Sequence, residues 1–189
     1  YSVKKYAEEA NASSSNENLK ALTSALISYG QYTQILFGYN EASIDKSALM
    51  DVSSVTAGNL SSYKYSRSGS EDGLKLYGSS LLLKDKTTIR IYYELKSGSI
   101  TDYTFKIDNE VVTPVQSGNN GLYYVEVRDI AAQDLETSHT FSAGQLELSN
   151  FSALSHVYSV LNYAQSASEN KNAMAALYLY WQAAEKYFN

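Results

Sequence analysis

Apolar positions spaced three or four residues apart predict a helix over residues 17–37. Ser15 or Asn16 can cap its beginning, and Gly38 stands where a C-terminal cap is expected. A shorter helical segment is expected over residues 3–10, and the polar run of residues 11–16 closes it. The apolar stripe of the main helix consists of Leu19, Leu22, Leu26, Tyr29, Thr33 and Leu36.

From about residue 50 to residue 149 the apolar pattern changes to the strict alternation of β-strands. Ile89, Ile91, Tyr93 and Leu95 alternate with polar positions, and runs near 60–66, 73–77 and 80–84 are also strand-like. The pair at 108–109, Asp-Asn, predicts a two-residue hairpin turn. Pro114 indicates an edge strand or a strand end, and Gly144 separates two further short strands. We therefore expect at least seven short strands.

Helical spacing returns at about residue 150. One apolar face is predicted before residues 168–170 and a second one after them. The segment 176–182 resembles the segment 25–31, since Ala, Leu, Tyr and Gln coincide at matching positions. The two faces consist of Leu154, Val157, Tyr158 and Leu161, and of Met174, Leu177, Tyr178, Trp181, Ala184 and Phe188.

The order of these elements predicts an α+β fold. We expect an immunoglobulin-like antiparallel β-sandwich inserted between N- and C-terminal helices that pack as a small helical lobe. The predicted boundaries are 1–45 for the N-terminal helical segment, 46–149 for the sandwich, and 150–189 for the C-terminal helices. Neither helical end can bury its apolar stripe alone, so we expect the two ends to pack on each other.

Composition narrows the classes of function. The 189 residues include no cysteine, which excludes disulfides, thiolate metal sites and cysteine nucleophiles. A net charge of −5 without clustered Lys or Arg argues against nucleic-acid binding, and we expect no membrane insertion by this domain. The chain begins at Tyr1 rather than Met, so we expect it to be a piece of a longer, secreted protein whose neighbouring domains and anchor lie elsewhere.

The pattern proposes no catalytic, cofactor or metal site. His139 and His156 stand alone in their regions, and neither has a second ligand at helical spacing. His156 is expected on the polar side of a helix. No G-x-S-x-G turn, phosphate loop or calcium loop is present, and Asp108-Asn109 is interpreted as a turn. We therefore expect no enzyme.

Tyrosine is the unusual component, with 18 Tyr against 5 Phe and 1 Trp. Because the Ile side of the strand around residue 91 must face inward, Arg90 and Tyr92 should face outward. Tyr124 and Arg128 should do so on the strand over residues 122–128. Arg and Tyr on an open sheet face suit sugar stacking or a protein hot spot. The alternative is that the helical lobe covers this face and the same residues seal the seam.

A second candidate surface lies on the last helix. Tyr178 and Trp181 belong to its aromatic segment, and we name them with the sheet residues as candidate ligand contacts. Tyrosine and tryptophan carry an apolar body and a polar tip, which suits a binding surface and a packed seam alike.

The amino-acid sequence resembles that of a module repeated in large secreted surface proteins of gut and rumen Clostridia. The likeness covers nearly the whole chain and is carried by Gly73–Leu83, Thr87–Tyr93, Ser28–Tyr32, Phe37–Asn40 and Ala176–Tyr180. In that family the modules lie beside glycan-active, leucine-rich-repeat or adhesive domains, and some such proteins bind host immunoglobulins. The resemblance implies an extracellular location on a bacterial cell surface and implies no catalytic residue.

We therefore expect a non-catalytic binding or adhesion module, and its ligand class stays open. A polysaccharide requires exposed aromatic side chains in a row or groove, whereas a host protein such as an immunoglobulin requires a flatter patch, a helix face or a strand edge. A structural spacer is the third alternative. A hydrolase is the fourth, and no activated nucleophile or acid pair supports it.

Overall fold

The protein has an α+β fold with two antiparallel sheets and helices at both ends of the chain. The structure, a computed structural model, describes residues 3–13, 15–83, 86–118 and 121–189. In these ranges the helices are α1 (Val3–Ser13), α2 (Glu17–Leu36), α3 (Ala153–Asn162) and α4 (Ser168–Phe188). The strands are β1 (Ser66–Ser68), β2 (Leu74–Leu83), β3 (Thr87–Leu95), β4 (Phe105–Ile107), β5 (Glu110–Val112), β6 (Val115–Gln116), β7 (Leu122–Ile130), β8 (His139–Ala143) and β9 (Leu146–Phe151).

The chain divides into a helical unit and a sheet unit. The helical unit contains the described residues up to Leu60, the turn Ala132–Asp134 and the segment Val157–Asn189. The sheet unit contains Ser61–Ala131 and Leu135–His156, and therefore all nine strands of the described chain.

These boundaries differ from the expected ones at 45/46 and 149/150. Residues 46–60 belong to the helical unit because hydrogen bonds hold this segment on α2: Met50 N–H donates to Ser28 Oγ (2.8 Å), and Tyr32 Oη donates to the Met50 carbonyl (2.9 Å). The second boundary moves because β9 extends the sheet unit through Phe151, and α3 begins only at Ala153.

Local capping defines the ends of α2. Asn16 is the N-cap, and its side-chain oxygen accepts hydrogen bonds from the N–H groups of Asn18 (3.0 Å) and Leu19 (3.1 Å). At the other end, Gly38 has a φ of +62°, the left-handed conformation that glycine adopts without strain. The sequence prediction for this helix is confirmed to within one residue.

Packing of α2 on α4 forms the core of the helical unit. The ring of Tyr29 stacks on Tyr180 with centroids 5.6 Å apart and planes 8° apart. The buried residues of these two helices include the small side chains of Ala25, Ala176 and Ala184, and small side chains allow helices to approach closely. Asn18 Nδ2 also donates to the Lys186 carbonyl at 3.3 Å. The expected packing of both chain ends on each other is therefore observed within this unit.

The sheet unit consists of a five-stranded sheet, in the order β1-β9-β8-β4-β5, and a four-stranded sheet, in the order β2-β3-β7-β6. Every strand pair is antiparallel. The buried faces of the two sheets meet where Tyr93 of β3 and Phe105 of β4 make an edge-to-face contact with centroids 5.2 Å apart. Ile89 and Ile91 are fully buried on this same side of β3, as the alternation predicted.

Two strand predictions were wrong. The expected strand over 60–66 is a 3-10 turn from Ala57 to Tyr63 followed by the short β1, because Asn59 Oδ1 accepts hydrogen bonds from the Thr56 N–H (2.8 Å) and hydroxyl (2.9 Å). The expected strands over 73–77 and 80–84 are one strand, β2, with a bulge at Tyr77; residue 84 lies outside the described residues.

Candidate ligand-binding site

The candidate site lies on the outer face of the four-stranded sheet, which we define as the side opposite the one that meets Phe105. Its centre is a cross-strand pair of tyrosines, because the register places Tyr92 of β3 directly opposite Tyr124 of β7. Their ring centroids are 5.7 Å apart, and the rings are tilted by 52°. Both side chains are half-buried, so each keeps part of its surface exposed.

Arg90 fixes the position of this aromatic pair. Its guanidinium carbon lies 4.1 Å from the centroid of the Tyr124 ring, a cation–π contact. The same guanidinium donates from Nε to Glu126 Oε2 at 2.7 Å, which is possible because Arg90 and Glu126 are paired across β3 and β7. Arg90 is therefore held both by a ring and by a carboxylate.

Glu126 is the shared acceptor of two arginines. Arg128 lies two residues further along β7, on the same side of the strand, and donates to Glu126 Oε1. The side chain of Glu126 is 8 % exposed, that of Arg90 26 % and that of Arg128 68 %. Burial raises the pKa of Glu126, but the hydrogen bonds from Arg90 and Arg128 outweigh it and lower that pKa below its usual value. The carboxylate is therefore ionised at neutral pH.

Beside Tyr92 the sheet leaves open space on β2. Gly78 is paired with Tyr92, and a methyl group at Gly78 would have no atom within 4 Å. The hydroxyl of Ser80 donates to Tyr92 Oη at 3.2 Å, which orients the phenol along β2. Tyr77, the bulged residue, is 62 % exposed. Val115 of edge strand β6 is paired with Tyr124, on the side of Tyr124 away from Tyr92. We call Tyr92, Tyr124 and Val115 the tyrosine row.

The structure therefore brings together four of the six residues named from the sequence: Arg90, Tyr92, Tyr124 and Arg128. The other two are corrected, because Tyr178 and Trp181 are buried within the chain, with ring centroids 5.6 Å apart, and offer little surface to a ligand. Amphipathic spacing identified an apolar face of α4 but could not show how completely that face is covered.

Sequence reasoning did not name Val115, which is paired with Tyr124, or the exposed Tyr77. Strict alternation from Lys75 would have placed Tyr77 outward, but β2 was interpreted as two strands. Among the described residues, the corresponding face of the five-stranded sheet shows no pair of aromatic side chains. It carries the polar or charged residues Lys106, Ser142, Glu147 and Ser149, with Val111 opposite Lys106.

Both histidines make defined hydrogen bonds in the sheet unit. His139 Nδ1 lies 2.6 Å from Asp108 Oδ2, and the other carboxylate oxygen of Asp108 accepts from the Thr140 N–H at 2.8 Å. His156 Nδ1 lies 3.0 Å from Ser79 Oγ. His156 is half-buried, and burial lowers its pKa to about 4.

A second concave region lies in the sheet unit between the edge strands β1 and β2. This groove of about 430 Å³ is lined by Leu74, Leu76 and Leu146 and by charged side chains such as Arg67 and Glu147. It contains no aromatic side chain. Over the part of the chain that the structure describes, no group of three or more His, Asp or Glu side chains could hold a metal ion.

The chain matches no protein-family model, no curated protein and no solved structure. Among the helices that the structure describes, none combines the length and the apolar character needed to cross a membrane.

Proposed function

We propose that this chain is a non-catalytic binding or adhesion module of a bacterial cell-surface protein, and that its ligand is a saccharide bound on the outer face of the four-stranded sheet. The observation that carries the proposal is the tyrosine pair Tyr92–Tyr124, flanked by the hydrogen-bonding groups of Arg90, Glu126 and Ser80. Half-buried phenol rings offer apolar faces to a sugar ring, and the charged pair beside them offers donors and acceptors to its hydroxyl groups.

The histidine contacts support a non-catalytic function. A serine beside a histidine can act as an activated nucleophile when a substrate reaches it. Burial lowers the pKa of His156 to about 4, so its imidazole is a weak base and poorly suited to activate Ser79. The pair instead joins β2 to the first turn of α3 within the sheet unit.

The test is a glycan-binding screen followed by substitution of the tyrosine pair. Tyr92→Ala and Tyr124→Ala should each weaken binding of any saccharide found by at least about tenfold, since truncating an aromatic anchor costs on the order of 2 kcal/mol. Tyr39→Ala is the matched control, because it removes an exposed tyrosine of the helical unit. Unchanged affinity in both sheet variants would contradict the assignment of the site to this face. If no glycan in the screen binds, the proposal of a saccharide ligand is contradicted.

An edge-strand observation favours a host protein, immunoglobulin included, as the second candidate ligand. Val111 of β5 is 71 % exposed on the edge of the five-stranded sheet, and unpaired backbone groups of an edge strand can accept a strand from another protein. Immunoglobulin binding that Val111→Asp abolishes and Tyr92→Ala leaves intact would favour this candidate. Silence towards both glycans and immunoglobulins would favour the structural spacer.

We also propose that the sheet unit is an immunoglobulin-like β-sandwich. Followed from β9 back to β2, its strands have the adjacency of immunoglobulin strands A to G with C′ included: β9-β8-β4-β5 corresponds to A-B-E-D, and β6-β7-β3-β2 corresponds to C′-C-F-G. The likeness is in which strands are neighbours. Along this chain the strands follow one another in the reverse of the immunoglobulin order. Amide-proton contacts between β4 and β8 and between β3 and β7, measured by NMR, test it; their absence would refute this order.

A further inference from the structure

The outer face of the four-stranded sheet is positively charged in an acidic chain. Four basic side chains, Lys75, Arg90, Lys96 and Arg128, and two acidic ones, Glu94 and Glu126, lie on it or pair with residues on it. These six described side chains together carry a net charge of +2, whereas the whole chain has a net charge of −5. A local excess of one sign attracts a ligand of the opposite sign.

These charges lie on both sides of the tyrosine row. On one side Glu94 pairs with Lys96 at 2.6 Å, which leaves Lys75 without a carboxylate partner among the described residues. On the other side Glu126 is paired with both Arg90 and Arg128. On the Glu126 side, two guanidinium groups therefore share a single carboxylate.

Arg128 is the better placed of these cations for a ligand. Its contact with Glu126 engages one side of a planar group that has five N–H donors, and its side chain is 68 % exposed. The remaining donors are free to make the paired hydrogen bonds that a guanidinium forms with a carboxylate. Arg90, in contrast, is held against Tyr124 and is 26 % exposed.

We infer that the ligand is a carboxylate-bearing saccharide, with a sugar ring on Tyr92 and Tyr124 and its carboxylate on Arg128. This inference rests on the proposed saccharide function and specifies its ligand class. Uronic acids and sialic acids both supply this chemistry, and the experiment separates them. A neutral ligand would leave the uncompensated charges of the face without a role in binding.

The experiment is a glycan array built from matched pairs that differ in the carboxylate. Trigalacturonic acid is compared with its methyl ester, and 3′-sialyllactose with lactose, and affinities are then measured by titration calorimetry. We expect the acid of at least one pair to bind about tenfold more tightly than its neutral partner, because an exposed charge-assisted hydrogen bond is lost with the carboxylate. The pair that responds identifies a uronic or a sialic acid.

Substitution of Arg128 then connects the preference to this face. Arg128→Gln should reduce the acid preference to less than about twofold, and Arg128→Lys should restore part of the preference. Lys106→Gln is the matched control, since it removes a positive charge from the corresponding face of the five-stranded sheet. Circular dichroism confirms that each variant is folded.

The outcomes separate this inference from the proposed function. Equal binding of acid and neutral partners, abolished by Tyr92→Ala, would overturn the carboxylate and leave the saccharide site in place. Tighter binding of sulfated glycans than of carboxylated ones would also overturn it. No binding to any member of the array would overturn both proposals.

Discussion

The hydroxyl of Tyr93 is a buried polar group in an apolar environment. The residue is 1 % exposed, its ring packs on Phe105, and within the described residues its Oη has no hydrogen-bond partner. A buried donor without a partner costs about 1–3 kcal/mol. Tyr93→Phe should therefore leave the free energy of unfolding unchanged or raise it by about 1 kcal/mol, as measured by urea unfolding.

Tyr92→Phe is the contrasting variant, because it removes a hydroxyl that accepts from Ser80. We expect this variant to lose about 0.5–1 kcal/mol of stability. A loss larger than 1 kcal/mol in Tyr93→Phe would show that its hydroxyl is satisfied after all, for example by an enclosed water molecule.

His156 gives the sheet unit a defined response to acid. Its pKa is lowered to about 4 by burial, so as pH falls the unfolded chain, with the ordinary pKa of 6.5, takes up the proton first. Stability is therefore fully present above pH 6.5 and is lost as pH falls toward 4, by up to about 1.4 kcal/mol per pH unit. Urea unfolding at pH 7 and pH 4.5, followed by the circular dichroism of the sheet, measures this loss.

His156→Gln should flatten this pH dependence, since glutamine does not titrate and can still bond to Ser79. His139→Gln carries the same change at the other histidine and should keep the loss between pH 7 and pH 4.5. An unaltered slope in His156→Gln would assign the acid response to carboxylates, such as Glu126, whose pKa is lowered in the folded protein.

At the scale of elements, two glycines should respond in opposite ways to the same substitution. Gly30 lies inside α2, and a methyl group there would have no atom within 4 Å. Gly30→Ala should therefore stabilise the helical unit by about 0.5–1 kcal/mol, because alanine has less backbone entropy to lose in a helix. Trp181, the single tryptophan, lies in this unit and reports its unfolding by fluorescence.

Gly69 follows β1 and has a φ of +78°, and a Cβ there would lie 1.8 Å from the Gln145 carbonyl oxygen. Gly69→Ala should destabilise the sheet unit by at least about 1 kcal/mol, since the clash is with backbone and the φ disfavours alanine. Equal effects of the two substitutions would contradict the close approach of the Gly69 turn to Gln145.

Elements defined by local chemistry were predictable from the sequence. The Asn16 cap and the Asp108-Asn109 turn, whose φ angles are +50° and +71°, depend on residues within a few positions of each other. The bulge at Tyr77 was not predictable, because an extra residue in a strand is defined by its partner strand.

In the candidate site, too, local features were predictable from the sequence and long-range ones were not. Alternation along each strand predicted that Arg90 and Tyr92 face outward on one strand. It predicted the same for Tyr124 and Arg128 on a second strand. The register that pairs Tyr92 with Tyr124 is a long-range property and appeared only in the structure. The burial of Trp181 was likewise missed, because a helical stripe does not specify how much of it a neighbour covers.

At the scale of the whole molecule, the two units differ in how much of the chain each one needs in order to fold. The helical unit is assembled from three segments, and its α2–α4 contact requires both ends of the chain. The sheet unit instead lies between residues 61 and 156. This span also contains the turn Ala132–Asp134, which belongs to the helical unit and packs there on α4. Removal of α4 should therefore disrupt the helical unit, since α2 would expose its apolar stripe.

A fragment of residues 61–156 should consequently keep the ligand-binding face. It contains all nine described strands and every side chain of the outer face, and it ends within the first turn of α3. We expect it to be less stable than the full chain but to bind the same saccharide within about twofold, because affinity depends on the groups that contact the ligand. Calorimetry on both proteins measures this, with the Tyr92→Ala fragment as the control. A folded fragment that has lost binding would place part of the site outside residues 61–156.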